Sequence, residues 1–252
     1  MKYPVLAYHK VSRQWELSFT MMFPEHFERQ MRYLAAEGYV GRSLREYLAD
    51  PKENEFVLTF DDAYECVFEH AFPVLKELGF HATVFVLSDF IGKDNTWDFI
   101  PGKIYSRHMN QEQLRNLHAS GWEIASHGKA HRVMIRMTED AIRDELYRSR
   151  EVIASIIRDD VHTFCFPFGV YDEHVVAEAR KAGYDHLVGF TGRPRFGVIS
   201  RSAVYRVADN PRTVLRKIRM SAFGMTIEKM KELFYHSFSL LTRIKHRCFG
   251  AR

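Results

Sequence analysis

Short apolar runs alternate with amphipathic stretches along most of this chain. Runs rich in β-branched and aromatic residues predict strands at residues 5–8, 56–60, 82–87, 123–126, 163–166, 187–190 and 204–207. Between them, apolar residues recur every three or four positions, which predicts helices over 24–37, 67–78, 138–158 and 173–182. Four junctions share one form: AEGY, ELGF, ASGW and KAGY each place a glycine just past a helical pattern and an apolar run soon after it. Glycine takes the left-handed cap conformation there at little cost. Parallel strands joined by crossover helices produce this rhythm, so the fold class is α/β, either a barrel or a doubly wound sheet.

At 252 residues, with 46% hydrophobic and 27% charged content, the chain can bury the core of one large α/β domain and carry an appendage. Its three cysteines, Cys66, Cys165 and Cys248, are widely spaced and lack a Cys-x-x-Cys pairing. That argues against a disulfide framework or a cysteine zinc site and fits a reducing compartment. The N-terminal apolar run is too short for a signal peptide, and no window approaches the roughly 20 apolar residues of a membrane span. The expected location is cytoplasmic.

The densest chemistry is FVLTFDDAY at 56–64, an apolar run ending in Asp61 and Asp62. Adjacent residues at a strand end point different ways, so one carboxylate can bind a metal while the other stays free as a base. An aspartate cap on the following helix explains the pair as readily. WEIASHGKAHRVM at 122–134 ends a second strand, then places His127 and His131 four apart. Two imidazoles at that spacing converge on one ion when the turn is helical or tightly looped. With 13 histidines in the chain, a chance pair on a surface helix reads equally well.

Together the two segments are harder to obtain by accident. Both lie at the carboxyl ends of predicted parallel strands, where βα-barrels gather their active-site groups. One Asp and two His make an open three-ligand zinc site, and the remaining carboxylate can act as general base. FCFPFGVYD at 164–172 runs a strand into Pro167, Phe168 and Gly169, whose backbone N–H groups can face a pocket; an ordinary β-turn has the same signature. His9 ends the first strand, and its immediate neighbours leave it either a core histidine or a site residue.

TFDD, SHGKAH and FPFG, in this order and with the flanks LHASGWEIASH and MTEDAIRDELYRSREVI, resemble the NodB-type polysaccharide deacetylases, also called carbohydrate esterase family 4. The similarity covers roughly residues 1–210. It implies a distorted (β/α)7 barrel with a C-terminal helical extension. It also implies metal-dependent hydrolysis of the N-acetyl (or other N-acyl) group of an amino sugar in a polysaccharide, oligosaccharide or lipid-linked glycan. Asp61 matches the family's catalytic base, and Asp62, His127 and His131 match its metal ligands. Phe168 stands where the family usually has a tyrosine whose backbone N–H helps hold the oxyanion. The implied cofactor is a divalent ion, zinc first, with cobalt, nickel or manganese also suited to the ligands.

Two positions depart from the family pattern. Cys165 replaces an arginine that usually contacts the catalytic carboxylate, which leaves the tuning of Asp61 open. Gly128 replaces a Ser or Thr, which leaves the loop geometry open. The family's late Leu-x-His motif, source of the acid that protonates the leaving amine, has no counterpart after Phe168. One branch of the family resembles a circular permutation with this motif on an N-terminal YH strand. VLAYHKV is similar to that arrangement, which implies His9 as the general acid. The competing reading is a catalytically inactive carbohydrate-binding relative recruited to a membrane surface by its basic tail.

That tail carries most of the positive charge. Residues 211–252 hold ten Lys and Arg against two Glu, a charge of +8, so residues 1–210 carry −4 of the overall +4. Ile227, Met230, Phe234, Phe238, Leu241 and Ile244 predict an amphipathic helix over 226–247. The expected division is therefore a deacetylase-like domain at 1–210 and a basic helical tail at 211–252. The tail either packs on the barrel or lies peripherally on an anionic membrane surface at its inner face. An acidic body without a recognition motif argues against nucleic acid as a partner.

Overall fold

The computed structural model describes residues 4–14, 16, 21–98, 105–190, 196–204 and 209–219. Its elements begin with β1 (Val5–Tyr8), β2 (Lys10–Val11), β3 (Met21–Met22), α1 (Pro24–Ala36), β4 (Val40–Arg42), α2 (Leu44–Ala49) and β5 (Glu55–Phe60). A π-helical turn at Val67–Ala71 leads into α3 (Phe72–Glu77), followed by β6 (Thr83–Val86), α4 (Gln111–Ala119) and β7 (Glu123–Ser126). Next come α5 (Glu139–Arg143) and α6 (Ser149–Ile157), joined through a π-helical turn at Asp144–Arg148. The remainder is β8 (Thr163–Cys165), α7 (Glu173–Lys181), β9 (His186–Gly189), β10 (Ile199–Ser200), β11 (Ser202–Ala203) and α8 (Pro211–Arg219). All four junction glycines, Gly38, Gly79, Gly121 and Gly183, have positive φ, between 66° and 90°.

The main sheet runs β10-β9-β8-β7-β6-β5-β1-β11 with every pair parallel, and β4 flanks the start of β5. Only Arg201 separates β10 from β11, yet β10 pairs with β9 while β11 pairs with β1. One extended segment, 199–203, thus bonds to both edges of the sheet and closes it. Counted once, it gives the described ring seven strands, and the (β/α)7 barrel expected from the sequence is the observed fold. The closing strand lies at 199–203, which no apolar run predicts; of the strand predicted at 204–207, residues 205–207 lie outside the described residues. Arg201 interrupts the pattern of this strand, and it is buried in the barrel because a carboxylate there neutralises it.

Alternation along the strands divides the apolar core in two. Val5, Val57, Phe85, Ala125, Cys165, Val188 and Ile199 form one cluster, with Leu44 beside them. Leu6, Tyr8, Phe56, Leu58, Phe60, Val84, Ile124 and Phe164 belong to the larger cluster that the helices share. Helix α8 is docked by a buried polar chain. Lys217 Nζ donates to Ala203 O (2.6 Å) and Asp209 Oδ2 (2.7 Å), Gln30 Nε2 donates to Asp209 O (2.7 Å), and Tyr8 OH donates to Gln30 Oε1 (2.9 Å). The predicted helix over 226–247 lies outside the described residues. Among the described residues no helix is long and apolar enough to cross a membrane.

Candidate active site

Strand β5 continues its pairing one residue past its end, with Asp61 N donating to Tyr8 O (3.0 Å), so Asp61 is delivered beside the end of β1. The chain then turns sharply: Asp62 and Ala63 both adopt left-handed backbone, φ 67° and 51°. For L-residues this costs on the order of 1–2 kcal/mol each. The turn sends the two carboxylates apart. Asp61 faces Arg201 and His9, whereas Asp62 faces His127 and His131.

Arg201 grips Asp61 with both arms of its guanidinium: Nη1 to Oδ1 at 2.5 Å and Nη2 to Oδ2 at 2.9 Å. Nη1 also donates to Thr59 Oγ1 (3.0 Å) and Nη2 lies 2.9 Å from Cys165 Sγ. The guanidinium is stacked between Phe190, 4.3 Å from the ring centre, and Phe85 at 5.1 Å. Burial alone would push the Asp61 carboxyl up; the Arg201 charge overcomes this, with His9 and His127 adding, and brings it down to about 2. Asp61 therefore has its arginine after all, supplied from the closing strand, and the small thiol of Cys165 leaves room for it.

His9 follows β1 with Nε2 3.7 Å from Asp61 Oδ2, an ion-pair separation too long for a hydrogen bond. Its ring lies parallel to Phe190, centroids 6.3 Å apart. The His9 side chain is 23% exposed where Asp61 is 2% exposed, so a ligand can reach the imidazole.

Strand β7 delivers His127, whose Nδ1 donates to Cys165 O (2.8 Å). That bond fixes the tautomer and leaves Nε2 with its lone pair, and burial holds the imidazole below its usual range, in the neutral form. His131 reaches the same point from a tight loop rather than a helix, with φ 85° at Gly128 and 55° at His131. Side chains satisfy the loop amides: Gly128 N donates to Ser126 Oγ (3.2 Å), while Lys129 N (2.7 Å) and Ala130 N (3.1 Å) both donate to Glu145 Oε2. Glu145 is buried, on the π-helical turn between α5 and α6.

Asp62 Oδ1 lies 3.6 Å from both His127 Nε2 and His131 Nε2. Ligands about 2.0–2.1 Å from a tetrahedral ion sit about 3.4 Å apart, so the spacing fits a transition metal. Asp62 Oδ1 is buried and without a hydrogen-bond partner. Burial, then the charges of Asp61 and Asp98, pushes the Asp62 carboxyl well up, a penalty that a bound cation reverses. The donor set thus fits a divalent ion. Asp61, His127 and Cys165 also lie close together, but the Arg201 guanidinium on Asp61 and Cys165 disfavours a cation there.

Phe168 sits on the 167–169 turn with φ 58°, its ring 4.4 Å from that of His131. A Cβ at Gly169, where φ is 65°, would come within 2.9 Å of Phe190 N, so only glycine fits there. The structure therefore brings together every site residue expected from the sequence: His9, Asp61, Asp62, His127, His131 and Phe168. It adds Arg201 and Glu145. Arg201 had a legible signal, since alternation through 199–203 places it on the face shared by Ile199 and Ala203, and all three are buried. Glu145 had none, as it falls in an ordinary amphipathic helix pattern.

Comparison with known proteins agrees with this geometry. The family model for polysaccharide deacetylase matches residues 49–187. A Bacillus subtilis (strain 168) protein named as a polysaccharide deacetylase, YxkH, is 29% identical over 240 residues, 91% of this chain and 77% of its own. The poly-beta-1,6-N-acetyl-D-glucosamine N-deacetylase of Staphylococcus aureus (strain MSSA476) is 23% identical over 171 residues, 62% of this chain but only 57% of that enzyme. Among solved structures, the Streptococcus pyogenes deacetylase PplD in complex with acetate superposes with a TM-score of 0.74 at 18% identity, over 86% of this chain and 98% of that one. IcaB from Ammonifex degensii gives 0.70 at 18% identity, over 86% and 96%. At such identities the superpositions establish a common fold. The family match itself spans more than half of the sequence, and the chain belongs to the polysaccharide deacetylase family.

Proposed function

We propose that this chain is a metal-dependent N-deacetylase that hydrolyses the N-acyl group of an amino sugar in a glycan. The observation that carries this reading is the division of labour at the 61–62 turn. One carboxylate is held ionised by Arg201 next to His9, and the other has a buried Oδ1 without a hydrogen-bond partner 3.6 Å from the Nε2 atoms of His127 and His131. A divalent ion held by Asp62, His127 and His131, zinc before cobalt, nickel or manganese, would supply a Lewis acid for the amide carbonyl and acidify a water.

The chain's own groups then have defined tasks. Asp61, ionised at neutral pH, accepts the proton of the attacking water. His9, partly exposed on the far side of Asp61, donates a proton in its imidazolium form to the departing amine, so that a carboxylic acid and a free amino sugar leave. The Phe168 N–H is assigned to the developing oxyanion, beside His131. The staphylococcal relative's name supports an N-acetylglucosamine glycan as substrate class. A protein that only binds carbohydrate has no need of a charged, buried Asp61–Arg201 pair facing three metal ligands.

Asp61→Asn tests this reading. Acetate release from N-acetylglucosamine oligomers should fall by about 10²–10⁴-fold, the usual contribution of a general base. Zinc affinity should stay within a few-fold of the parent, because Asp62 and the histidines are intact. Turnover retained in a folded Asp61→Asn protein would remove Asp61 from the mechanism.

A further inference from the structure

Between β6 and α4 the chain makes an excursion that touches both sides of the metal-ligand set. His108 is buried there, and its Nδ1 lies 2.6 Å from Asp62 O. A carbonyl only accepts, so Nδ1 carries the proton. On the other ring edge, Trp97 Nε1 donates to His108 Nε2 at 3.3 Å, so that nitrogen is unprotonated. The two bonds together fix one tautomer.

The same indole lies against His131, ring centres 4.0 Å apart. A continuous path therefore runs Asp62–His108–Trp97–His131, joining the carboxylate ligand to the second histidine ligand behind the metal position. Its anchorage is firm. Tyr64 stacks on His108 (4.9 Å, 20°), Asn95 Nδ2 donates to Tyr64 OH (3.2 Å), and Met109 N (2.8 Å) donates to Ala63 O. These contacts converge on the turn that bears two consecutive left-handed residues, Asp62 and Ala63, the part of the site least able to hold its shape unaided.

We propose that His108 and Trp97 are positioning residues that lock Asp62 and His131 into one preformed unit, so that the ligand set exists before the ion arrives. The inference rests on the metal reading of the site, but the preformed turn itself does not require a metal to be tested. Without the His108 bond, the strained Asp62 turn relaxes and Asp62 Oδ1 leaves the point 3.6 Å from both imidazoles. Ordering of that loop then has to accompany binding, which lowers affinity. Partners behind metal ligands typically account for 10–100-fold in metal affinity.

The test uses the full chain stripped of metal. Zinc affinity is measured by competition with a chromophoric chelator for the parent, His108→Ala, His108→Asn and Trp97→Phe. Hydrogen exchange of the amides at 61–64 is followed on the same metal-free samples. His108→Ala should bind zinc about 10–100-fold more weakly and exchange faster at 61–64, while its turnover recovers at saturating zinc. His108→Asn keeps an N–H donor and should recover much of both losses. Trp97→Phe keeps the ring against His131 but loses the bond to His108, and should fall between parent and His108→Ala. Affinity and exchange within twofold of the parent in folded His108→Ala would overturn the proposal. A parent that takes up no zinc would instead overturn the metal reading, and the exchange data would still decide whether His108 holds the turn.

Discussion

Replacing Arg201 with methionine keeps an unbranched apolar stem and removes the guanidinium. In the parent, Asp61 is held at about 2 against an ordinary value of 3.8, a difference on the order of 2 kcal/mol. Because the folded value lies below the unfolded one, this stabilisation is fully present above about pH 4 and is lost as pH falls through about 2. In Arg201→Met the burial that pushes Asp61 up is no longer opposed by its main partner. The carboxyl then rises, and the sign reverses: ionised Asp61 now opposes folding at neutral pH. Breaking a buried pair by removing one partner typically costs about 3–5 kcal/mol.

Two assays read this out. Urea unfolding at neutral pH should show the loss of about 3–5 kcal/mol, and the loss should shrink towards acid pH, where Asp61 is protonated. The pH–rate profile, taken with zinc saturating, should have its acid limb moved to higher pH by more than the interval between about 2 and 3.8. Arg201→Lys should restore part of the stability but little of the geometry, since an ammonium cannot reproduce the two-armed grip. An acid limb that stays in place in folded Arg201→Met would refute the claim that the guanidinium keeps Asp61 ionised.

Glu145→Ala strands two half-buried loop amides, Lys129 and Ala130, and should destabilise the protein by about 1–3 kcal/mol in denaturant unfolding and weaken zinc binding through His131. Glu145→Gln retains one carbonyl oxygen and should lose about half as much. Gly169→Ala places a Cβ against Phe190 N, so the ring that supports His9 and Arg201 must move. A fall in melting temperature together with reduced kcat, at unchanged zinc affinity, is the expected result.

The legible parts of this fold are those in which one physical cause dominates. The strands 5–8 and 56–60 are largely apolar because both faces are covered, and the glycine caps mark the helix ends on backbone grounds alone. Asp61, Asp62, His127 and His131 are legible because titratable side chains stand out at the ends of buried strands. The closing strand at 199–203 has no continuous apolar run because a charge occupies one of its inward positions, and only the partner Asp61, 140 residues away, makes that charge tolerable. Glu145 is hidden for a different reason. A π-helical turn shifts its register, so a residue that looks like solvent-facing helix is turned under the histidine loop. The excursion that carries Trp97 and His108 has no periodicity to read, because its job is contact with the site rather than layering of the core.

The closing strand also sets an order of events. Asp61 precedes Arg201 by 140 residues, so a sheet not yet closed by 199–203 has two unpaired strand edges, on β9 and β1, and an Asp61 without its ion-pair partner. Sealing those edges and neutralising the Asp61 carboxylate both fall to one short segment, with Arg201 between β10 and β11. While the ring is open, Asp61 faces water and ionises at its ordinary value; once the segment 199–203 is seated, burial would raise that value and the Arg201 guanidinium is what holds it down.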